Sequence, residues 1–300
     1  MSGLRLKRVL MVSALCATAA LHGTDCQSAD AVKPAATSFQ FSVHDKTTIR
    51  ANPTTQVAIR VKQWPEQTFL LWFPEHIKAI WAQWDPAVAH QDFAKTRTGG
   101  LRWEFDARVG VRVVAELAPR AESILLEVRL DNRGGQDLRN VGVQNCLHLS
   151  AAPDFACEDL TRIHIRSGGK WQTLKALAAT GPMPMYYRTG FLESGHDDYW
   201  DHAFRGSNQR PSADHPVIVC TSKDGRRAVA TASENYQGVF HNRMDYLRCI
   251  HSQQATVPAL PSGGKAVFRQ VIYFVDGGVT ECVRAFDKDI REGVLNASAR

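Results

Sequence analysis

The feature that most constrains the fold is a regular alternation of apolar and polar residues in residues 122–150. Its first part places an apolar residue at every second position: Ile124, Leu126, Val128 and Leu130. A period of two is typical of a strand with one buried face. The second part puts Val141, Val143, Leu147 and Leu149 on one face and Gly142, Gln144, Cys146 and His148 on the other. Between them, DNRGGQ tolerates positive φ, so we predict a hairpin of two strands joined by a turn, the second with a polar face that suits a cleft.

Similar patterns recur along the chain. Strands are predicted at residues 39–43, 56–61, 68–73, 101–117, 162–166, 171–174, 217–221, 227–233 and 265–275. The apolar spacing in residues 74–84 favours a short helix, and residues 279–292 form the strongest helix candidate, with Thr280 as a possible N-cap. Many short strands with turn signals between them predict an all-β chain, a large antiparallel β-sandwich with one C-terminal helix, forming a single domain over residues 38–300.

The N-terminus has the three parts of a secretion signal. Arg5, Lys7 and Arg8 are followed by an apolar stretch and by the small-x-small site Ala17-Thr18-Ala19. We therefore predict a signal peptide at residues 1–19, a flexible leader at 20–37, and a secreted or periplasmic protein. Loss of the three positive charges lowers the formal net charge from +6 to +3, and without a basic stripe nucleic acid is not an expected partner.

Three features together resemble the galactose-mutarotase-like β-sandwiches: the large antiparallel sandwich, a leading segment rich in Trp, and the phrase LDNRGGQDLRNV at residues 130–141. The resemblance extends over roughly residues 38–275. It implies that a sugar is held on the concave face of one sheet, and that in the epimerases of the group histidines and a glutamate open and close the sugar ring. The sequence does not identify that glutamate, since Glu281 and Glu292 lie on the predicted C-terminal helix and Glu234 follows a strand of small residues. Carbohydrate contact is the expectation that follows.

The first group of candidate site residues lies in the long aromatic-rich segment 181–213, which we predict to be a loop that forms a wall of the cleft. Its stretch SGHDDYWDH offers His196 and Asp198 as catalytic residues, and Tyr199, Trp200 and His202 as ligand-binding residues. The same cluster could hold a divalent ion in a metal-dependent hydrolase. Alternatively, it is a solvated polar loop whose aspartates cap turns.

The second group comes from two short repeats, Cys146-Leu-His148 and Cys249-Ile-His251. Because strands alternate, each repeat places its Cys and His on one face. We predict that His148 and His251 approach each other as catalytic residues, with ligand-binding residues nearby: Asn145, His241, Asn242 and Arg243. The two cysteines could form a disulfide, hold zinc with the histidines, or be plain core.

We rank histidines facing a cleft first and zinc last, because export favours disulfides and the chain lacks closely spaced cysteine pairs. No metal and no cofactor are therefore expected. The predicted function is an exported protein that binds or processes carbohydrate on a concave sheet face. The alternatives are a non-catalytic secreted interaction module and the metal-dependent hydrolase built on residues 196–202. No membrane span is predicted.

Overall fold

The computed structural model describes residues 38–43, 56–82, 93–191, 212–244 and 247–296. Its strands are β1 (Phe39–Val43), β2 (Gln56–Val61), β3 (Thr68–Ile77), β4 (Trp81–Ala82), β5 (Ala94–Lys95), β6 (Leu101–Asp106), β7 (Val111–Pro119), β8 (Ser123–Asn132), β9 (Leu138–Val141), β10 (Val143–His148), β11 (Ile163–Ser167), β12 (Lys170–Thr173), β13 (Met185–Tyr187), β14 (Val217–Thr221), β15 (Arg227–Ser233), β16 (Tyr236–Met244), β17 (Leu247–Gln254), β18 (Val257–Leu260) and β19 (Lys265–Asp276). A single helix, α1, is described at Val279–Arg291.

The strands form two large antiparallel sheets, as the predicted all-β sandwich requires. One has eight strands in the order β1-β2-β3-β10-β17-β16-β13, with β4 beside β3; the other has nine in the order β12-β11-β14-β15-β19-β8-β7-β6-β5. A separate ribbon pairs β9 with β18. The sheets bury their facing apolar residues in one core, in which Phe69 of β3 contacts Phe274 of β19 with ring centroids 5.1 Å apart.

The nine-stranded sheet is covered on both faces where α1 packs against it. Val217 and Val219 of β14 face Cys282 and Phe286 of the helix, whereas Ile218 of the same strand points into the main core. Burial on both faces explains why β14 reads as an unbroken apolar run, without the alternation of a half-exposed strand. Across the described ranges of the chain, no helix is long and apolar enough to cross a membrane.

Several local predictions are confirmed. The SGGK turn does join β11 to β12, with Gly168 and Gly169 at φ values of +59° and +76° that favour glycine. The C-terminal helix is present, although its N-cap is Gly278 and not Thr280. The Glu281 carboxylate accepts a hydrogen bond from the Gly278 N–H at 2.9 Å, which caps the first turn.

Three local predictions are wrong. The predicted helix at 74–84 is strand as far as Ile77, because β3 is hydrogen-bonded to both β2 and β10. The two arms of 122–150 do not pair, since β8 lies in the nine-stranded sheet and β10 in the eight-stranded one. Finally, segment 181–213 is not all loop, because Met185–Tyr187 pairs with β16.

Candidate functional site

The face of the eight-stranded sheet that points away from the nine-stranded sheet is called here the outer face. Strand alternation assigns it, because Leu71, Leu147 and Ile250 point into the core and their neighbours point away from it. The outer face carries Trp72, His76, Gln144, Cys146, His148, Phe240, Asn242, Cys249, His251 and Gln253. Most of these side chains are buried, so this face combines many polar and ionisable groups with little exposure to solvent.

The two Cys-x-His repeats meet at the centre of the outer face. They lie on neighbouring antiparallel strands, β10 and β17, where His148 is opposite Cys249; continuing this register by two residues places Cys146 opposite His251. The Cys146 sulfur lies 3.2 Å from Nε2 of His148, and the Cys249 sulfur lies 3.0 Å from Nε2 of His251. These four residues are called the Cys/His cluster. All five cysteines in the described part of the chain are free thiols.

The ring of His251 is fixed in one orientation. Its Nδ1 lies 3.0 Å from the backbone carbonyl oxygen of Asn145, which only accepts, so Nδ1 carries the proton and donates it. Nε2 then presents its lone pair to the Cys249 thiol. The ring of Phe240 stacks on His251 with centroids 3.9 Å apart and an interplanar angle of 7°. The imidazole is therefore positioned from three sides.

Burial keeps the Cys/His cluster neutral. It lowers the pKa of His148 to about 3 and holds the pKa of His251 well below its ordinary value. Burial also raises the pKa of the Cys146 and Cys249 thiols. The neighbouring Cys249 thiol raises the pKa of Cys146 further. Each predicted catalytic histidine thus has its Nε2 engaged with a thiol, and the acid–base role assigned to them from the sequence stays a prediction.

A carboxyl group that the sequence reasoning missed, Glu75, reaches the same region. Its carboxylate accepts a hydrogen bond of 2.6 Å from Nε2 of Gln144, and it lies 3.8 Å from Nε2 of His76. Burial raises the pKa of Glu75 to about 7, against the opposing effect of the Gln144 bond. A carboxylate inside the apolar run TFLLWFPEHI was the signal that could have identified it, because an acid in such a run is seldom structural.

Four buried polar atoms that point to the outer face from β3, β10 and β17 have no hydrogen-bond partner. They are Nε1 of Trp72, Oε1 of Gln144, Nδ1 of His148 and Oε1 of Gln253. Buried polar groups in folded proteins are nearly always paired, and an unpaired one costs about 1–3 kcal/mol. Unpaired buried atoms also occur elsewhere, such as Nε2 of Gln56 on β2 and the hydroxyl of Tyr186, so it is the grouping of four on three adjacent strands that makes this part of the outer face a candidate ligand site.

The remaining candidates on β10 and β16 do not gather in one place. Asn242 is on the outer face, opposite Cys249. The prediction that Asn145 joins it is not supported by its position, because Asn145 points between the sheets and donates to Gln270 at 2.8 Å. His241 and Arg243 alternate to the other face, where they line a cavity of about 220 Å³ with Cys157, Glu158 and Arg248. Strand alternation separates neighbours that the sequence analysis grouped together.

The candidates in the stretch SGHDDYWDH lie outside the described residues: His196, Asp198, Tyr199, Trp200 and His202. The same holds for most of the predicted cleft wall. Of that segment, the described part contributes Tyr187 and Phe191, whose rings stack 5.7 Å apart at the edge of the eight-stranded sheet. Both pack with Met185 and Phe240, so this edge of the outer face is apolar and aromatic.

Comparison with known proteins extends to the fold and no further. No family model and no curated protein matches the chain. Among solved structures, the Slr1438 protein from Synechocystis sp. PCC 6803 is similar over 80% of this chain and 93% of that one, with a TM-score of 0.50 and 10% identity. At this identity the match shows an architecture alone.

Two solved structures whose names describe sugar epimerases also match. A putative aldose 1-epimerase from Escherichia coli K12 has 9% identity and a TM-score of 0.41 over 69% of this chain and 76% of its own. A putative mutarotase from Salmonella typhimurium has 9% identity and a TM-score of 0.41 over 75% and 85%. Solved structures with these names thus have a β-sandwich architecture like that of this chain, in line with the resemblance drawn from the sequence, and scores below 0.5 carry no argument about family, substrate or reaction.

Proposed function

We propose that the protein is exported and binds carbohydrate on the outer face of the eight-stranded sheet, with Glu75 as the acid–base group that acts on the bound sugar. The observation that carries the proposal is the set of four unpartnered buried polar atoms described above. A bound ligand that supplied their missing hydrogen bonds would recover the cost of leaving them unpaired.

The chemistry of these atoms suits a sugar. Trp72 offers a donor, Gln144 and Gln253 offer acceptors, and a sugar hydroxyl both donates and accepts. The indole of Trp72 also presents an apolar ring beside these groups, which complements the C–H face of a pyranose. Binding sites commonly combine apolar walls with a few well-placed polar groups in this way.

Glu75 supports a catalytic role. A carboxyl whose pKa is about 7 is present in both protonation states near neutral pH, as a general acid or base requires. The side chains of Glu75 and His76 retain 9% and 13% exposure, so this end of the outer face is the part that a ligand reaches from solvent. The resemblance drawn from the sequence implied a glutamate beside histidines, and Glu75 fits that description.

Export is proposed on the N-terminal pattern alone. The charged, apolar and small-residue parts of residues 1–19 predict cleavage after Ala19. Mass spectrometry of the protein recovered from outside the cytoplasm should find a chain that begins at residue 20. An intact Met1 or Ser2 on that protein would contradict cleavage.

Sugar binding is tested by Trp72→Phe, which keeps an aromatic ring and removes the unpartnered N–H. We expect the variant to bind a sugar identified by glycan array about 5-fold more weakly by calorimetry, since one hydrogen bond is worth about 1 kcal/mol. Trp64→Phe is the matched control, because Trp64 is also 4% exposed but lies in the main core.

Two results would contradict the proposal. One is wild-type protein that binds no glycan on the array. The other is equal weakening by Trp72→Phe and Trp64→Phe, which would mean that the loss comes from the fold. Binding without turnover of any hit would favour the non-catalytic interaction module.

A further inference from the structure

In the Cys/His cluster, the sulfur and imidazole nitrogen atoms lie close enough together to bind a metal ion, which sugar binding does not require. The ligand atoms of Cys146, Cys249 and His251 all lie within 4.8 Å of one another, and Nε2 of His148 lies 3.2 Å from the Cys146 sulfur. In a tetrahedral zinc site, bonds of about 2.0–2.3 Å put neighbouring ligand atoms roughly 3.3–3.8 Å apart. The ligand atoms of Cys146, Cys249 and His251 are therefore close to that spacing, whereas the ring of His148 contacts Cys146 and would have to shift to complete the site.

We propose that Cys146, Cys249 and His251 bind a divalent transition-metal ion, with His148 as the fourth ligand, and that zinc is the ion that fits best. Two thiolates and two neutral imidazoles are a common ligand set for zinc. This site shares His148 with the sugar contacts proposed above, but the metal ligands are the Nε2 atoms of the histidines and the two thiols, and the proposal does not depend on sugar binding.

The environment of His251 matches that of a metal ligand. A ligating histidine donates its other ring N–H to a carboxylate or a backbone carbonyl, which fixes the tautomer and orients the lone pair. His251 makes this contact with the Asn145 carbonyl at 3.0 Å. The stacked ring of Phe240 and the edge contact between Trp72 and His148, with ring centroids 4.4 Å apart, hold both imidazoles in place.

Charge selects a divalent ion. The cluster is buried, with His148 and Cys249 at 0% exposure, and an uncompensated charge in such a place is costly. A divalent cation with two thiolates and two neutral imidazoles makes a neutral unit. Binding converts two S–H groups into metal–sulfur bonds and releases two protons to solvent, so atoms and charge balance without any oxidant or reductant.

The sequence lacks the closely spaced cysteine pair of a typical structural zinc site, but the register of β10 and β17 brings two distant cysteines together. Structural zinc sites often take cysteines two to four residues apart, and this chain has no such pair in the cluster. Here the closeness comes from pairing between strands, because each Cys-x-His repeat supplies one thiol and one imidazole to the same face. A disulfide between Cys146 and Cys249 is the competing state of the two thiols.

The test uses the full mature chain, reduced and freed of metal, without any sugar. We expect it to bind one Zn²⁺ per chain by elemental analysis and to release about two protons per ion at pH 7. Titration with Co²⁺ should give the sulfur-to-cobalt charge-transfer band of thiolate ligation. The double variant Cys146→Ser/Cys249→Ser should lose this band and bind at least about 100-fold more weakly.

Cys157→Ser is the matched control, because Cys157 is a buried thiol that hydrogen-bonds Asp159 at 3.3 Å and lies outside the cluster. It should bind metal as the wild type does. If the double variant does not fold, His251→Gln decides, since its amide keeps the bond to Asn145 and removes the ligand nitrogen. Stoichiometric metal in the wild type and weakened binding in His251→Gln support the proposal.

Two outcomes overturn it. One is reduced wild-type protein that binds no more metal than the cluster variants do. The other is unchanged Co²⁺ binding and thiolate absorption in His251→Gln and in the double variant, which would place the ion elsewhere. Metal binding in a protein that binds no glycan would leave this site standing and would contradict the proposed function alone.

Discussion

The outer face of the eight-stranded sheet and the exposed face of the nine-stranded sheet are both polar, but they differ in whether their polar groups are paired with one another. On the nine-stranded sheet, β6, β7, β8 and β19 carry a ladder of arginines and glutamates across four adjacent strands. On the outer face, four buried polar atoms of β3, β10 and β17 have no hydrogen-bond partner. The carboxylate of Glu75 accepts its hydrogen bond from the neutral amide of Gln144 and not from a cation.

The charged side chains of the ladder are paired with one another. Glu116 accepts from Arg102 at 3.3 Å and from Arg129 at 2.9 Å, and Glu127 pairs with both Arg129 and Arg269 at 2.7 Å. Such cross-strand pairs support the sheet and keep its surface soluble. Glu104, Glu116 and Glu127 each pair with two arginines, so the ladder leaves none of these carboxylates without a partner.

The difference separates structural polarity from functional polarity. Polar groups that serve the fold are paired within it, as in the ladder, whereas unpaired buried groups cost stability and need another reason to persist. Six described groups whose pKa burial shifts lie on or beside the outer face: Glu75, His76, Cys146, His148, Cys249 and His251. Burial also raises the pKa of Cys220, Tyr273 and Cys282 elsewhere in the fold. Strongly shifted groups tend to cluster at functional sites.

The largest effect that would sharpen this comparison is expected from Glu75→Gln. The pKa of Glu75 is raised from its ordinary value of 4.5 to about 7 in the fold. As pH rises above about 4.5, the unfolded chain loses this proton first, so the folded state becomes less stable until pH 7 and the loss then levels off. The full difference is about 3 kcal/mol in the free energy of unfolding.

Glu75→Gln should remove this slope and be more stable than the wild type above pH 7, because an amide needs no ionisation and still accepts the Gln144 hydrogen bond. Urea unfolding of both proteins between pH 4.5 and 8.5 measures the difference. The groups that face Glu75, namely His76, Cys146 and Cys249, are common to both proteins. Glu122→Gln, at an exposed carboxyl, is the control. Parallel curves for the wild type and Glu75→Gln would contradict a buried carboxyl with a raised pKa.

The contrast between the two faces was partly readable in the sequence. Alternation predicted most strands, because one buried face leaves a period of two in the residues themselves. It also placed each Cys with its own His. The shared spacing of the two Cys-x-His repeats led to the prediction that His148 and His251 approach each other. Which Cys lies opposite which His depends on the register of β10 with β17, about a hundred residues apart, and no local pattern encodes a register.

Other parts of the fold were not predictable for related reasons. Residues 77, 80, 81 and 84 have helical spacing, yet β3 continues to Ile77 because β10 pairs with it through His76 and Gln144. Long-range pairing overrides a local preference. Similarly, the DNRGGQ stretch reads as a hairpin turn, whereas in the fold it carries the chain from one sheet towards the other. Glu75 was missed because its burial comes from neighbours that are distant in sequence.

The smallest effect is expected from Arg129→Ala in the ladder. The Arg129 side chain is 44% exposed, and both of its partners keep a second arginine: Glu116 keeps Arg102, and Glu127 keeps Arg269. No carboxylate is left unpaired, and exposed ion pairs contribute about 0.2–1 kcal/mol. We expect a loss of less than about 1 kcal/mol in the free energy of unfolding, which shrinks further at high salt because exposed charges are screened.

Urea unfolding at low and at high salt measures this loss, and the metal and sugar titrations described above should be unchanged. The result bears directly on the comparison, because Arg129 is charged and conspicuous in the sequence whereas Trp72 and Gln144 are not. A loss of several kcal/mol, or one that salt does not reduce, would mean that the ladder holds the sheet together by more than surface pairing. A change in metal or sugar affinity would mean that the two faces are coupled, and the division between structural and functional polarity would then fail.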